Sequence, residues 1–181
     1  MIHTQEVIEI RASPERVFAQ MDDIANVGWH MEGERSMPLM GGKLHHEVLS
    51  ENITGLGATY RWYGKVMGMT LDFKETVTKW VKNEEKVWST IEDPKIIIMS
   101  KYEMRFNLSP IENGTKVTFE IDYELPRSLF GRILGKLLAR KYADWCLRRA
   151  CEDTKHILEA EQPTIHPTEH TSLPRIIRLR I

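Results

Sequence analysis

KVTFEIDYEL, residues 116–125, decides the architecture: Val117, Phe119, Ile121, Tyr123 and Leu125 take one face, and Lys116, Thr118, Glu120, Asp122 and Glu124 the other. A period of two marks a β-strand with one buried and one wet side. Just upstream, Ile96, Ile98, Tyr102, Met104, Phe106 and Leu108 alternate with Lys101, Glu103, Arg105 and Asn107. Asn113-Gly114, suited to a tight turn, separates the runs, so together they read as an antiparallel hairpin. Alternation reaches back to Leu71 and gives way downstream to a helical pattern over residues 128–161. A large curved antiparallel sheet closed by a single helix encloses space more readily than it forms a solid core.

Residues 5–12 read as a first strand, with Ile8, Ile10 and Ala12 on one face. Ser13-Pro14-Glu15 then supplies an N-cap, a proline at the first helical position and an acid in the first turn, so a helix starts there. Residues 24–29 form a second short helix ending on Trp29, and residues 33–42 form a loop. Strands follow at 44–52, 58–65 (turning near Gly68), 69–81 and 87–92, with a turn at Asn83-Glu84-Glu85 and a break at Asp93-Pro94. On the long helix, Phe130, Ile133, Leu134, Leu137, Leu138 and Trp145 cluster on one side, while Ala143, Leu147, Ala150, Cys151 and Leu158 lie nearly opposite. A straight helix cannot bury both stripes on one sheet, which predicts a kink near residues 139–142 or a separate lid helix. Three prolines after Gln162 make residues 162–181 an irregular tail beyond a domain of residues 1–161.

The chain has 181 residues, 41% hydrophobic and 28% charged, which suits one folded domain. Twenty-five basic against 26 acidic residues leave no overall field to attract nucleic acid. Cys146 and Cys151 fall roughly 140° apart around a helix, so they share no face and read as reduced thiols. Residues 1–11 lack the apolar core of a signal peptide, and no apolar run approaches a membrane span, so a cytoplasmic location is expected.

The order of elements resembles the SRPBCC superfamily, which includes the START lipid-transfer domains, the pollen-allergen family and the bacterial polyketide cyclase/dehydrase-like proteins. The resemblance rests on Ile8, Ile10, Ala12-Ser13-Pro14-Glu15-Arg16-Val17-Phe18, Met21, Asp22 and Trp29, and later on Gly57-Ala58-Thr59-Tyr60-Arg61-Trp62. It covers about residues 5–161 and implies an α+β helix-grip fold: a curved antiparallel sheet of about seven strands wrapped on a long C-terminal helix, with two short helices after the first strand. Plant members carry a glycine-dense loop at the position of Gly55-Leu56-Gly57; with two glycines there, phosphate binding does not carry over.

A sheet wrapped on the helix presents Tyr60, Trp62, Leu71, Phe73, Glu75 and Val77 from its middle strands on the concave face. Trp88, Thr90, Tyr102, Met104 and Phe106 follow, with Leu134 and Leu137 from the helix. This mostly apolar lining fits either a hydrophobic ligand in a pocket of about 300 to 1,000 Å³ or a core filled by its own side chains. Glu75 is in phase with Leu71, Phe73 and Val77; it anchors a ligand hydroxyl or acts as a base if it points inward, and is simply hydrated if it sits at a bulge or a cavity mouth. Tyr60, Arg61 and Tyr102 are the remaining acid/base candidates.

His45 and His46 are adjacent and face opposite sides of a strand, and His166 and His170 flank Pro167, so no metal site is expected; His30 reads as a loop residue. With no nucleophile or phosphate-loop motif, no catalytic residue is assigned and no cofactor is expected. Arg132, Lys136 and Arg140 make a basic stripe on the helix, pointing either to contact with an anionic membrane surface or to a solvated face. Gly131 and Gly135 suggest a flexible lid rather than a dimer seam. Residues 173–181 could add as an edge strand to a second copy. Three functions stand: a carrier or sensor of a hydrophobic small molecule (lipid, isoprenoid or aromatic polyketide), a cyclase/dehydrase-type enzyme, or a protein interaction module.

Overall fold

A computed structural model describes residues 1–27, 42–66 and 69–161. Trp29 and His30, the loop at 33–42, the turn at Gly68 and the tail with His166 and His170 lie outside the described residues, apart from Gly42. The elements run β1 (Ile2–Ile10), α1 (Pro14–Asp22), α2 (Ile24–Val27), β2 (Gly42–Val48), β3 (Thr59–Val66), β4 (Met69–Val81), β5 (Glu85–Lys95), β6 (Tyr102–Ile111), β7 (Gly114–Tyr123) and α3 (Leu129–Ala160). The fold is α+β, as the resemblance implies. Seven antiparallel strands lie in the order β1-β7-β6-β5-β4-β3-β2, so the meander from β2 ends where β1 adds to its far edge. The segment that carries α1 and α2 therefore leads from one edge of the sheet to the other.

Alternation dictates the buried face strand by strand. In β7, Thr115, Val117, Phe119, Ile121 and Tyr123 are buried. They meet Phe106 and Leu108 of β6, Trp88 of β5, Phe73 and Val77 of β4, and Tyr60 and Trp62 of β3 in one core. Two register shifts between β4 and β5, at Asp72/Lys74 and Val77/Lys79, place bulges that bend the sheet. The expected break at Asp93-Pro94 is one of these: Lys74 pairs with Ile91 and Asp72 with Lys95, while Glu92 turns through φ 60°, so β5 runs on past the proline. At the β6–β7 turn, a Cβ on Gly114 would lie 2.1 Å from the Ile10 carbonyl oxygen, so glycine lets the hairpin sit against the end of β1.

Two readings are corrected. Residues 96–101 are not strand; Ile98 and Met99 are buried, but the backbone of this stretch bonds out of register, Ser100 N–H donating to Glu124 O and Lys101 O accepting from Glu124 N–H. Nor is there a lid helix: α3 is a single helix over 32 residues. Its buried face is Gly131, Gly135, Ala139, Ala143, Leu147, Ala150, Cys151, Thr154 and Leu158, mostly small side chains about one turn apart. The apolar stripe expected to pack on the sheet is split: Phe130, Ile133 and Leu137 are exposed, as is Leu129, whereas Leu134, Leu138 and Trp145 stay half-buried against the core. Glycine is required on the packed side: a Cβ at Gly135 would lie 2.5 Å from Ile98 O, and one at Gly131 would lie 2.9 Å from Pro126. The G-x-x-x-G spacing is thus a close-approach seam within the chain, not a hinge for a lid.

Candidate functional site

The concave face carries a row of polar groups through an otherwise apolar interior. At one end, Lys86 of β5 is 1% exposed, in phase with Trp88 on the inner face. Its Nζ donates to Asp22 O at 2.6 Å and lies 2.8 Å from Asp22 Oδ1, an ionic contact off hydrogen-bonding angle. Trp80 Nε1 donates to Asp22 Oδ2 at 3.1 Å. The rings of Trp88 and Tyr60 stand 5.5 and 5.8 Å from Nζ, close enough for cation–π attraction. Burial draws the Lys86 pKa below the ordinary lysine value, against the pull of Asp22 and then Glu75.

Glu75 of β4 occupies the middle of the row. It is 2% exposed, so the inward reading holds and the hydrated one does not. Burial pushes its carboxyl up to about 7, tempered by the nearness of the polar ends of Tyr102 and Trp62, the charge of Lys86 and the indole of Trp88. Even so, Glu75 Oε2 and Trp62 Nε1 are both buried without a hydrogen-bond partner, an expensive arrangement for an acceptor and a donor on the same inner surface. Beyond Glu75, Tyr102 lies close enough to Tyr142 and Cys146 of α3 for their fields to raise its pKa further, after burial and Glu75. Burial pushes the Cys146 thiol up to about 12, and Cys151 likewise, so both are protonated at neutral pH.

The helix does not close evenly over this row. It packs along β1 and β7 and against α1 and α2. On its other flank, Leu134, Leu138, Tyr142, Trp145 and Cys146 border the core yet stay half-buried, as do Met104 and Thr90. The sheet loosens at the same place. β5 and β6 pair from Glu85↔Asn107 to Ser89↔Glu103, and one step on, the Thr90 hydroxyl takes over, accepting from Tyr102 N–H at 3.2 Å. Thr90 pairs with Glu75 on its other side, so this parting of the strands adjoins the carboxyl.

Tyr60, Trp62, Phe73, Glu75, Trp88, Tyr102 and Phe106 are thus all buried on the inner face, with Met104 and Leu134 partly so. Leu137 is not with them; it is 65% exposed, because the glycine seam turns its side of the helix to solvent. Arg61 points away from the interior, in a bidentate pair with Asp72 at 2.9 Å, and the Tyr60 hydroxyl is committed to Ile53 O at 2.7 Å. Neither is placed for proton transfer inside. Sequence reasoning misses Lys86 and Asp22 as a pair; the available signal is Lys86 in step with Trp88, but a lysine in a strand ordinarily reads as solvent-facing. His46 lies on Trp62, ring centroids 5.2 Å apart, while His45 is exposed.

A family model described as polyketide cyclase/dehydrase and lipid transport matches residues 1–159. The chain belongs to that family. No curated protein matches the chain. It is similar to TTHA0849 from Thermus thermophilus, with 21% identity, 89% of this chain and 100% of that one covered, and a TM-score of 0.65. It is also similar to DR_A0006 from Deinococcus radiodurans (14% identity, 90% and 100% covered, TM-score 0.58) and to Ara h 8.0201 (10%, 88% and 99%, 0.58). At these identities the likeness is one of fold, the helix-grip arrangement that the sequence resembles. No described helix is long and apolar enough to cross a membrane.

Proposed function

We propose that the protein binds a hydrophobic small molecule, of the lipid, isoprenoid or aromatic polyketide kind, between α3 and the concave face of β3–β6, as a carrier or sensor. The observation that carries this is the pair of unpartnered buried atoms, Glu75 Oε2 and Trp62 Nε1, set among aromatic side chains. An acceptor and a donor left unpaired in an apolar interior suit a ligand with a polar end, whose hydroxyl would donate to Glu75 while its body lies on Trp88 and Phe106. The half-buried flank of α3 is consistent with room there for a guest. Apolar contact would supply the affinity, at about 25 cal/mol per Å² buried, and the polar end the orientation.

Native mass spectrometry of freshly purified protein, followed by organic extraction, tests the reading. An apolar adduct that disappears on extraction is expected. Protein that carries none, and whose tryptophan fluorescence is unmoved by fatty acids, isoprenoid alcohols and polycyclic phenols, would overturn it.

A second reading is favoured by one observation, the Glu75 carboxyl near 7, which suits a general base in cyclase/dehydrase-type chemistry. Glu75→Gln separates the two: a carrier keeps most of its affinity, whereas an enzyme loses turnover of the bound compound.

A further inference from the structure

We propose that the N-terminal half of α3 is a docking surface for an anionic lipid bilayer. Leu129, Phe130, Ile133 and Leu137 are 78, 72, 55 and 65% exposed, four large apolar side chains on adjoining turns of one convex face. The exposure is built in: glycines 131 and 135 press the opposite side of the helix onto residues 97–98 and 125–126 so closely that these side chains have no inward position. An apolar face that no described residue covers marks a contact surface rather than ordinary scatter.

Charge selects the occupant. Residues 125–143 hold five cations, Arg127, Arg132, Lys136, Arg140 and Lys141, and none of the chain's 26 acids. At about 100° per residue, Arg132, Lys136 and Arg140 run up the flank of the apolar stripe, where long basic side chains reach headgroups while the stripe sinks into the interface. Arg127 and Arg132 also line a surface depression of about 390 Å³ beside Met1 and Ile2. Two copies meeting through this face would oppose five cations to five, and the tail brings Arg175, Arg178 and Arg180, which repel it as well. A convex apolar cylinder rimmed by cations fits a fluid anionic surface, which needs no matching groove.

The test is co-sedimentation of the full chain with vesicles of phosphatidylcholine alone and of its equal mixture with phosphatidylglycerol. Binding is expected to the mixture only and to weaken as salt rises. Phe130→Ser with Leu137→Ser should weaken partition roughly a hundredfold, and Arg132→Gln with Lys136→Gln roughly 25-fold, about fivefold for each cation removed. Both pairs should unfold at the wild-type temperature, because none of the four side chains is buried; if the serine pair misfolds, the glutamine pair decides alone. Wild-type protein that sediments with neither vesicle, or variants that bind like the wild type, would overturn the proposal. So would a dimer that the serine pair dissociates, or capture on polyglutamate, if either occurs without vesicle binding.

Discussion

Lys86 and Glu75, the most deeply buried charged groups among the described residues, are about equally hidden but differently provided for. Lys86 has an acid, a carbonyl and two aromatic faces, and its partner Asp22 is held in turn by Trp80. Glu75 has donors in its neighbourhood but retains an oxygen with no partner, beside an indole N–H with none. The first arrangement ties α1 to the sheet. The second spends stability without tying anything, and such a site is more naturally explained by what it can bind.

Lys86→Met is expected to show the larger effect, because it leaves Asp22 buried with a lost counter-charge. A loss of about 3–5 kcal/mol in urea unfolding is expected, with much of it restored by adding Asp22→Asn. A neutral Lys86→Met would remove the distinction between the two groups. Glu75 should set a pH dependence of similar size and opposite character. Its folded pKa, about 7, lies above the ordinary 4.5, so the folded state holds the proton more tightly. Its contribution is therefore full below pH 4.5 and falls between 4.5 and 7, by about 3 kcal/mol in all. Glu75→Gln should flatten that slope and leave the protein more stable at pH 8; a slope unchanged in the variant would show that another group titrates there.

Smaller effects sharpen the contrast. Trp80→Phe removes a donor from Asp22 and should cost about 1–2 kcal/mol, whereas Trp62→Phe removes an N–H that has no partner and should fall within about 1 kcal/mol of wild type, on either side. Equal losses from the two indoles would mean that Trp62 is bonded after all. In ligand-loaded protein the order should reverse, with Trp62→Phe the more harmful to retention of the extracted compound.

Much of this is legible in the sequence. Period-two patterns place most strands and put Glu75 on the inner face, since a strand has only two sides and one is plainly apolar. Lys86 obeys the same period, but composition argues against it, because a lysine looks solvated until Asp22, 64 residues earlier, is brought under it. The helix misleads for a different reason. Its periodicity is real, but a stripe of large apolar residues ordinarily marks the packed side, and here backbone proximity at Gly131 and Gly135 claims that side for small ones. Asp93-Pro94 misleads likewise: a proline that ends a regular strand is accommodated in a bulged one.

Where β5 and β6 part, the last rung between them is a threonine hydroxyl rather than a peptide group. A side chain can rotate away without disturbing any neighbouring rung, so the sheet possesses a latch that opens one residue at a time from this corner. Local fraying should begin there, at the Tyr102 amide, well ahead of the rest of the meander. On the proposed function, a guest entering beside Glu75 would need the turning of one methyl-bearing rotor rather than the melting of a strand.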